Sequence, residues 1–233
     1  MSLPKITLPS FFVDLISTKK KHKYHPYTSK AQEILLIAMT GGNKEEIINA
    51  TEELLDSSVE GIVAHDLPIF DFEHLFIKLR IVSSGDIIYL SVPHLNPEYA
   101  ENCSFKQEVE LNLSDVKIKK NPKHKKAIDL SDDIGVVMKY PTISNSVTST
   151  PRELLISCIE SIYDKEKVYP ASESSKEELE AWVDGLQNKH ITKIKEFFDT
   201  MPQVYIEIEY TCANCGKKEK RVIEGFENFF ITP

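Results

Sequence analysis

Glycine is scarce in this chain, with 8 residues in 233. No Gly-rich phosphate loop of either common kind is present, which excludes the P-loop and dinucleotide-binding folds. There is no His-Glu-x-x-His and no Gly-x-Ser-x-Gly, so neither a zinc-protease helix nor a nucleophile elbow is encoded. No pair of carboxylates and no nucleophile–histidine set stands at a spacing that predicts chemistry, and we read the chain as a non-enzyme. No apolar run approaches the roughly 20 residues of a membrane span. Met1 to Ser10 lacks the charged and apolar regions of a secretory signal. The four cysteines are unevenly spaced, which favours a reducing compartment and thiol or metal chemistry over a disulfide framework.

What is present is the make-up of an ordinary folded protein, 41% hydrophobic and 27% charged. The length suits one large domain or two small ones, burying roughly 70% of the unfolded surface. A net charge of −8 and a pI near 5.5 give no global reason to expect nucleic acid or a membrane as partner.

The most informative stretch is Val204 to Phe230. Val204, Ile206, Ile208 and Tyr210 alternate with Tyr205, Glu207 and Glu209, the period of a strand with one buried face. Cys212-Ala-Asn-Cys215-Gly follows, a tight turn that offers two thiolates to one tetrahedral zinc, and Lys217 to Ile223 supplies a return strand. The rest of such a site is expected between Ile87–Val92 and Lys106–Val116, two strands joined by a loop carrying Cys103. Ala100 stands where a second cysteine would complete a Cys-x-x-Cys with Cys103. The candidate ligands of a structural zinc are therefore Cys103, Cys212 and Cys215, with His94 as a speculative fourth.

Elsewhere the pattern is of hairpins and amphipathic helices. Lys5–Leu8 and Phe11–Ile16 read as strands, with a basic tip at Lys19–Lys23. Helices are predicted over Thr28–Met39, stopped by Gly41-Gly42, and after the N-cap Asn43. Phe72, Leu75, Phe76 and Leu79 form one helical stripe; Asp71, Glu73, His74 and Arg80 beside it are read as a solvated face or an ion pair. Lys117–Lys126 reads as a solvated hairpin tip or an electrostatic contact with an acidic protein, and Ile134–Tyr140 as a strand. Thr150-Pro-Arg-Glu153 and Ser175-Lys-Glu-Glu178 are capping boxes. The first starts a helix whose apolar face takes in Leu154, Leu155, Cys158, Ile159 and Ile162. A later helix carries Ile191, Ile194, Phe198 and Met201 inward. Phe226, Phe229 and Phe230 are expected to fold over the core. The fold class is thus α+β: antiparallel hairpins with amphipathic helices, and a C-terminal helical hairpin leading into a Cys-x-x-Cys β-knuckle. The division expected is 1–141 as an N-terminal part, 142–150 as a Ser/Thr-rich linker, and 151–233 packed as one C-terminal unit.

Several segments occur together in one order over nearly the whole chain. They are Leu8-Pro-Ser10, Tyr24 to Met39, Phe70 to Arg80 with Ser83-Ser-Gly85, Ile134 to Pro141, Phe197 to Pro202, Cys212 to Gly216, and Gly225 to Phe230. The ordered set resembles the baseplate hub and hub-assembly proteins of T-even-type contractile-tailed phages. The resemblance implies a non-enzymatic role as hub subunit or assembly chaperone, with other phage hub and tail proteins as partners. It implies action in the host cytoplasm during assembly, with the virion baseplate as a second location. It also implies a Cys-x-x-Cys in the first hairpin, from which Ala100 departs. Two competing classes make different predictions. A zinc-ribbon nucleic-acid binder would use the lysine clusters and lose affinity steeply with salt. A Cys212/Cys215 redox pair would need a lowered thiol pKa, and its motif normally opens a helix rather than joining strands.

Overall fold

The computed structural model describes residues 6–225, and their strands pair antiparallel, with helices interspersed, in a mixed α+β fold. In chain order the first elements are β1 (Phe11–Asp14), β2 (Lys21–Tyr24), α1 (Ser29–Gly41), α2 (Lys44–Ser58), α3 (Ile69–Ser84) and β3 (Ile87–Val92). Next come α4 (Pro97–Asn102), β4 (Gln107–Asn112), β5 (Lys117–Lys119), β6 (Ala127–Asp129), β7 (Ile134–Met138), α5 (Ile143–Thr148) and α6 (Pro151–Ser157). The last are β8 (Ile159–Asp164), β9 (Val168–Pro170), α7 (Lys176–Asp184), α8 (Asn188–Thr200), β10 (Gln203–Thr211) and β11 (Lys218–Glu224). Phe226, Phe229 and Phe230 lie outside the described residues.

Two compact units emerge. One runs through Ala64, resumes over Phe70–Lys119 and takes up the chain again from Gln203; the other comprises His65–Ile69 and Lys120–Pro202. This division differs from a break at 142–150. The reason is strand pairing: β5 pairs with β10, with Gln203 opposite Lys119, so residues 120–202 are inserted between two neighbouring strands. The lysine-rich stretch 117–126 is correspondingly no hairpin tip, because β5 and β6 belong to different sheets.

In the first unit, Thr28 caps α1 and Gly42, at φ +71°, ends it. Asn43 accepts from the Glu45 amide at 3.0 Å and starts α2, whose Leu54 and Leu55 are buried. α3 is the buried centre: Phe70, Phe72, Leu75, Phe76, Ile77 and Leu79 are all nearly inaccessible. Of the two readings of the polar residues on α3, a solvated face does not hold for Asp71 and Glu73, which are buried. Asp71 is fully buried and accepts the Ile16 amide at 2.5 Å and the Ser17 amide at 3.3 Å, holding the β1–β2 turn to α3. Burial pushes its carboxyl above the ordinary range, against those hydrogen bonds. β3 pairs with β4, and β10 lies between β11 and β5.

The second unit is built on the sheet β6-β7-β8-β9. Its core gathers Leu130, Val136, Met138, Cys158, Ile159, Val183, Ile194 and Phe197. Both capping boxes form, at Thr150 with Glu153 and at Ser175 with Glu178. The helix begun by the first stops at Ser157. From Ile159 the chain pairs with β7, so β-branched residues and sheet hydrogen bonds override the helical spacing. The Thr142–Thr150 stretch, expected as a linker, contains α5; Thr142 caps it and Ile143 is fully buried. On α8, Phe197 rather than Phe198 is the deeply buried aromatic.

Candidate metal centre

The inward face of β10 carries Val204, Ile206, Ile208 and Tyr210, each at most 8% exposed, and Cys212 is the next residue in that alternation at 1%. β3 does the same: Ile88, Leu90 and Val92 face inward, and His94 follows two residues on, buried at 7%. Strand periodicity carried one step past each strand end thus aims both side chains at the same place. Cys103 caps the C-terminus of α4 and is buried, while Cys215 is exposed.

The ligand-type atoms of His94, Cys103, Cys212 and Cys215 lie within 4.8 Å of one another. Cys103 Sγ is 3.9 Å from Cys212 Sγ, and Cys215 Sγ is 3.4 Å from His94 Nε2. All four predicted residues are brought together. Ala100 is exposed on α4, and His94, the speculative fourth candidate, lies with the three cysteines.

The turn between β10 and β11 has a defined cause. The Gly216 amide donates to the Cys212 carbonyl and the Cys212 amide to the Lys217 carbonyl, both at 2.9 Å. Gly216 sits at φ +70°, which glycine adopts without the Cβ penalty. The Ala213 amide is held by Gln107 Oε1 at 3.0 Å, tying the turn to the start of β4.

Hydrogen-bond donors converge on the sulfurs. Cys103 accepts from Asn214 Nδ2 at 3.3 Å, and that bond, with one from the Phe105 amide, lowers its thiol pKa to about 6. The Cys215 amide is the main cause of a lowered pKa at Cys212. At Cys215 the Lys217 amide pulls downward, but burial and the two neighbouring thiols win, and the pKa rises. Three thiols of unequal acidity share one small volume.

Sequence reasoning missed Glu219, which lies on β11. Its Oε2 accepts from His94 Nδ1 at 2.6 Å and from the Tyr210 hydroxyl at 2.9 Å. Its Oε1 takes the amides of Asn96 at 3.1 Å and Leu95 at 3.3 Å. This bond to Glu219 outweighs burial and raises the His94 pKa to about 9. The only sequence signal was a carboxylate opposite Tyr210 in the hairpin register, visible once the turn at 212–217 is placed.

A family model described as "T4 bacteriophage base plate protein" matches residues 8–231 of the chain. The chain is also similar to the "Baseplate hub assembly protein gp26" of Enterobacteria phage T4, at 25% identity over 204 residues, covering 88% of this chain and 89% of that protein. No solved structure matches it.

Proposed function

The chain belongs to the T4 bacteriophage base plate protein family, and from that premise we propose that it is a non-catalytic factor in assembly of the phage baseplate hub. The observation that carries this reading is the similarity, over 88% of this chain and 89% of the relative, to a protein described as a hub assembly protein. Its partners are other baseplate hub and tail proteins, and it acts in the host cytoplasm while the hub is built.

The surface suits protein contacts. α1 buries Leu35 but leaves Ile34, Leu36 and Ile37 exposed, the last at 65%. Aliphatic side chains grouped on one short helix favour a protein partner over solvent. The lysines suit nucleic acid less well. Lys117 pairs with Glu207 at 3.1 Å, Lys23 with Glu60 at 3.0 Å, and Lys126 lies 4.9 Å from the centre of the Tyr140 ring. These three of the ten lysines in the two clusters already have partners, and the net charge of −8 disfavours a polyanion.

Mass spectrometry of purified virions alongside hub assembly intermediates tests the proposal. The chain is expected in the intermediates and absent from finished particles. Finding it in both would make it a permanent hub subunit, and finding it in neither would sink the reading. Retention on DNA that falls steeply with salt would favour the nucleic-acid alternative.

A further inference from the structure

Three explanations compete for the convergence of His94, Cys103, Cys212 and Cys215. As plain core residues, the cysteines would sit among apolar groups, yet Cys215 is exposed and Cys103 accepts a side-chain N–H from Asn214. As a disulfide, Cys103 and Cys212 would need sulfurs about 2.05 Å apart, whereas they stand at 3.9 Å. A tetrahedral ion fits the spacing. Two thiolates each ~2.3 Å from one zinc ion lie ~3.8 Å apart, and a thiolate and an imidazole nitrogen ~3.6 Å apart. The corresponding distances are 3.9 Å for Cys103–Cys212 and 3.4 Å for Cys215–His94.

We propose that these four residues bind one structural Zn²⁺ through three thiolates and His94 Nε2, and that Glu219 is the positioning residue that makes His94 a ligand. Glu219 takes the proton side of the ring, Nδ1, at 2.6 Å and is itself anchored by Tyr210 and the amides of Leu95 and Asn96. With Nδ1–H committed to the carboxylate, Nε2 is the nitrogen that faces the sulfurs, and its proton is the one a metal ion would displace. A carboxylate in this place fixes the ring's orientation and makes the imidazole a better donor. Soft sulfur donors with one imidazole select zinc over magnesium, calcium or manganese. The ion would join the loop after β3, the end of α4 and the β10–β11 turn. The inference stands independently of the assembly role.

Elemental analysis of the full chain, purified without added metal, is expected to find one zinc per chain and no iron. Replacing zinc with Co²⁺ should give the sulfur-to-cobalt charge-transfer and intense visible bands of a tetrahedral thiolate site. Metal-free protein that takes up neither ion, an iron content matching the chain, or a Cys103–Cys212 disulfide under reducing purification would overturn the proposal. Glu219→Gln should weaken zinc binding about 10- to 100-fold in competition with a chelator, with the cobalt bands unmoved because the donors are the same. His94→Cys should bind zinc as a four-thiolate site. In that background Glu219→Gln should cost about threefold at most, because Glu219 acts through the histidine. An equal loss in both backgrounds would remove Glu219 from the role given to it.

Discussion

His124 shows how one side chain can be read to the level of its protons. Thr200 Oγ1 gives its hydrogen to the Glu196 carbonyl at 2.5 Å, so it can only accept from His124 Nδ1 at 2.9 Å. Nδ1 therefore carries a hydrogen, and in the neutral ring, which burial favours, Nε2 accepts from the Tyr140 hydroxyl at 3.0 Å. Burial first, and Lys126 second, hold its pKa below the usual value. The sign follows: the unfolded chain takes up this proton first as pH falls, so the contribution is present above about pH 6.5 and is lost below it. Urea melts at pH 7.5 and 5.5 should show a smaller drop for His124→Gln than for the native chain; equal drops would remove His124 as the cause. Beside it, Phe197 stacks on Tyr140 with ring centres 5.6 Å apart and is 2% exposed. Phe197→Ala should destabilise the second unit by about 3–5 kcal/mol in denaturant titration.

Among the elements, α3 and α1 make opposite uses of amphipathic sequence. α3 is buried on most sides, and Asp71 stays there because two backbone amides need it. Asp71→Ala would strand the buried Ile16 amide, and the half-buried Ser17 amide with it, and should cost about 1–3 kcal/mol, with Asp71→Asn, which keeps an acceptor, losing less. A thermal melt of both variants checks the order. α1 instead leaves aliphatic residues outside. Ile37→Glu should shift stability by no more than about 0.5 kcal/mol, while weakening co-purification with hub intermediates. Unchanged co-purification would acquit this helix of partner binding.

For the whole molecule, the inserted second unit matters most. Because Lys119 and Gln203 face each other across β5 and β10, a two-residue Asn-Gly turn in place of residues 120–202 has the geometry of a hairpin connection. That shortened chain should keep a cooperative thermal transition and dispersed amide resonances. A fragment ending at residue 141 should not, since it lacks β10 and β11 and leaves β5 without its partner. The opposite pair of outcomes would show that the units are not those defined by strand pairing.

The sequence by itself determined the local features. These are the inward face of β10, the Asn43 cap, both capping boxes and the Cys-x-x-Cys turn. Each depends on residues within about a turn or two of each other, and so shows as periodicity or spacing. Cys103, Cys212, Cys215 and His94 were legible as candidates for the same reason. Tertiary structure alone decided that His94 meets Cys215, 121 residues away, that Glu219 holds the ring, and that Asp71 belongs inside. It also decided that β5 pairs with β10 and that Ile159 leaves its helix for a sheet. Such choices turn on which distant segments close on one another. The free energy of those contacts is shared among many side chains and leaves no mark at any one stretch of the sequence.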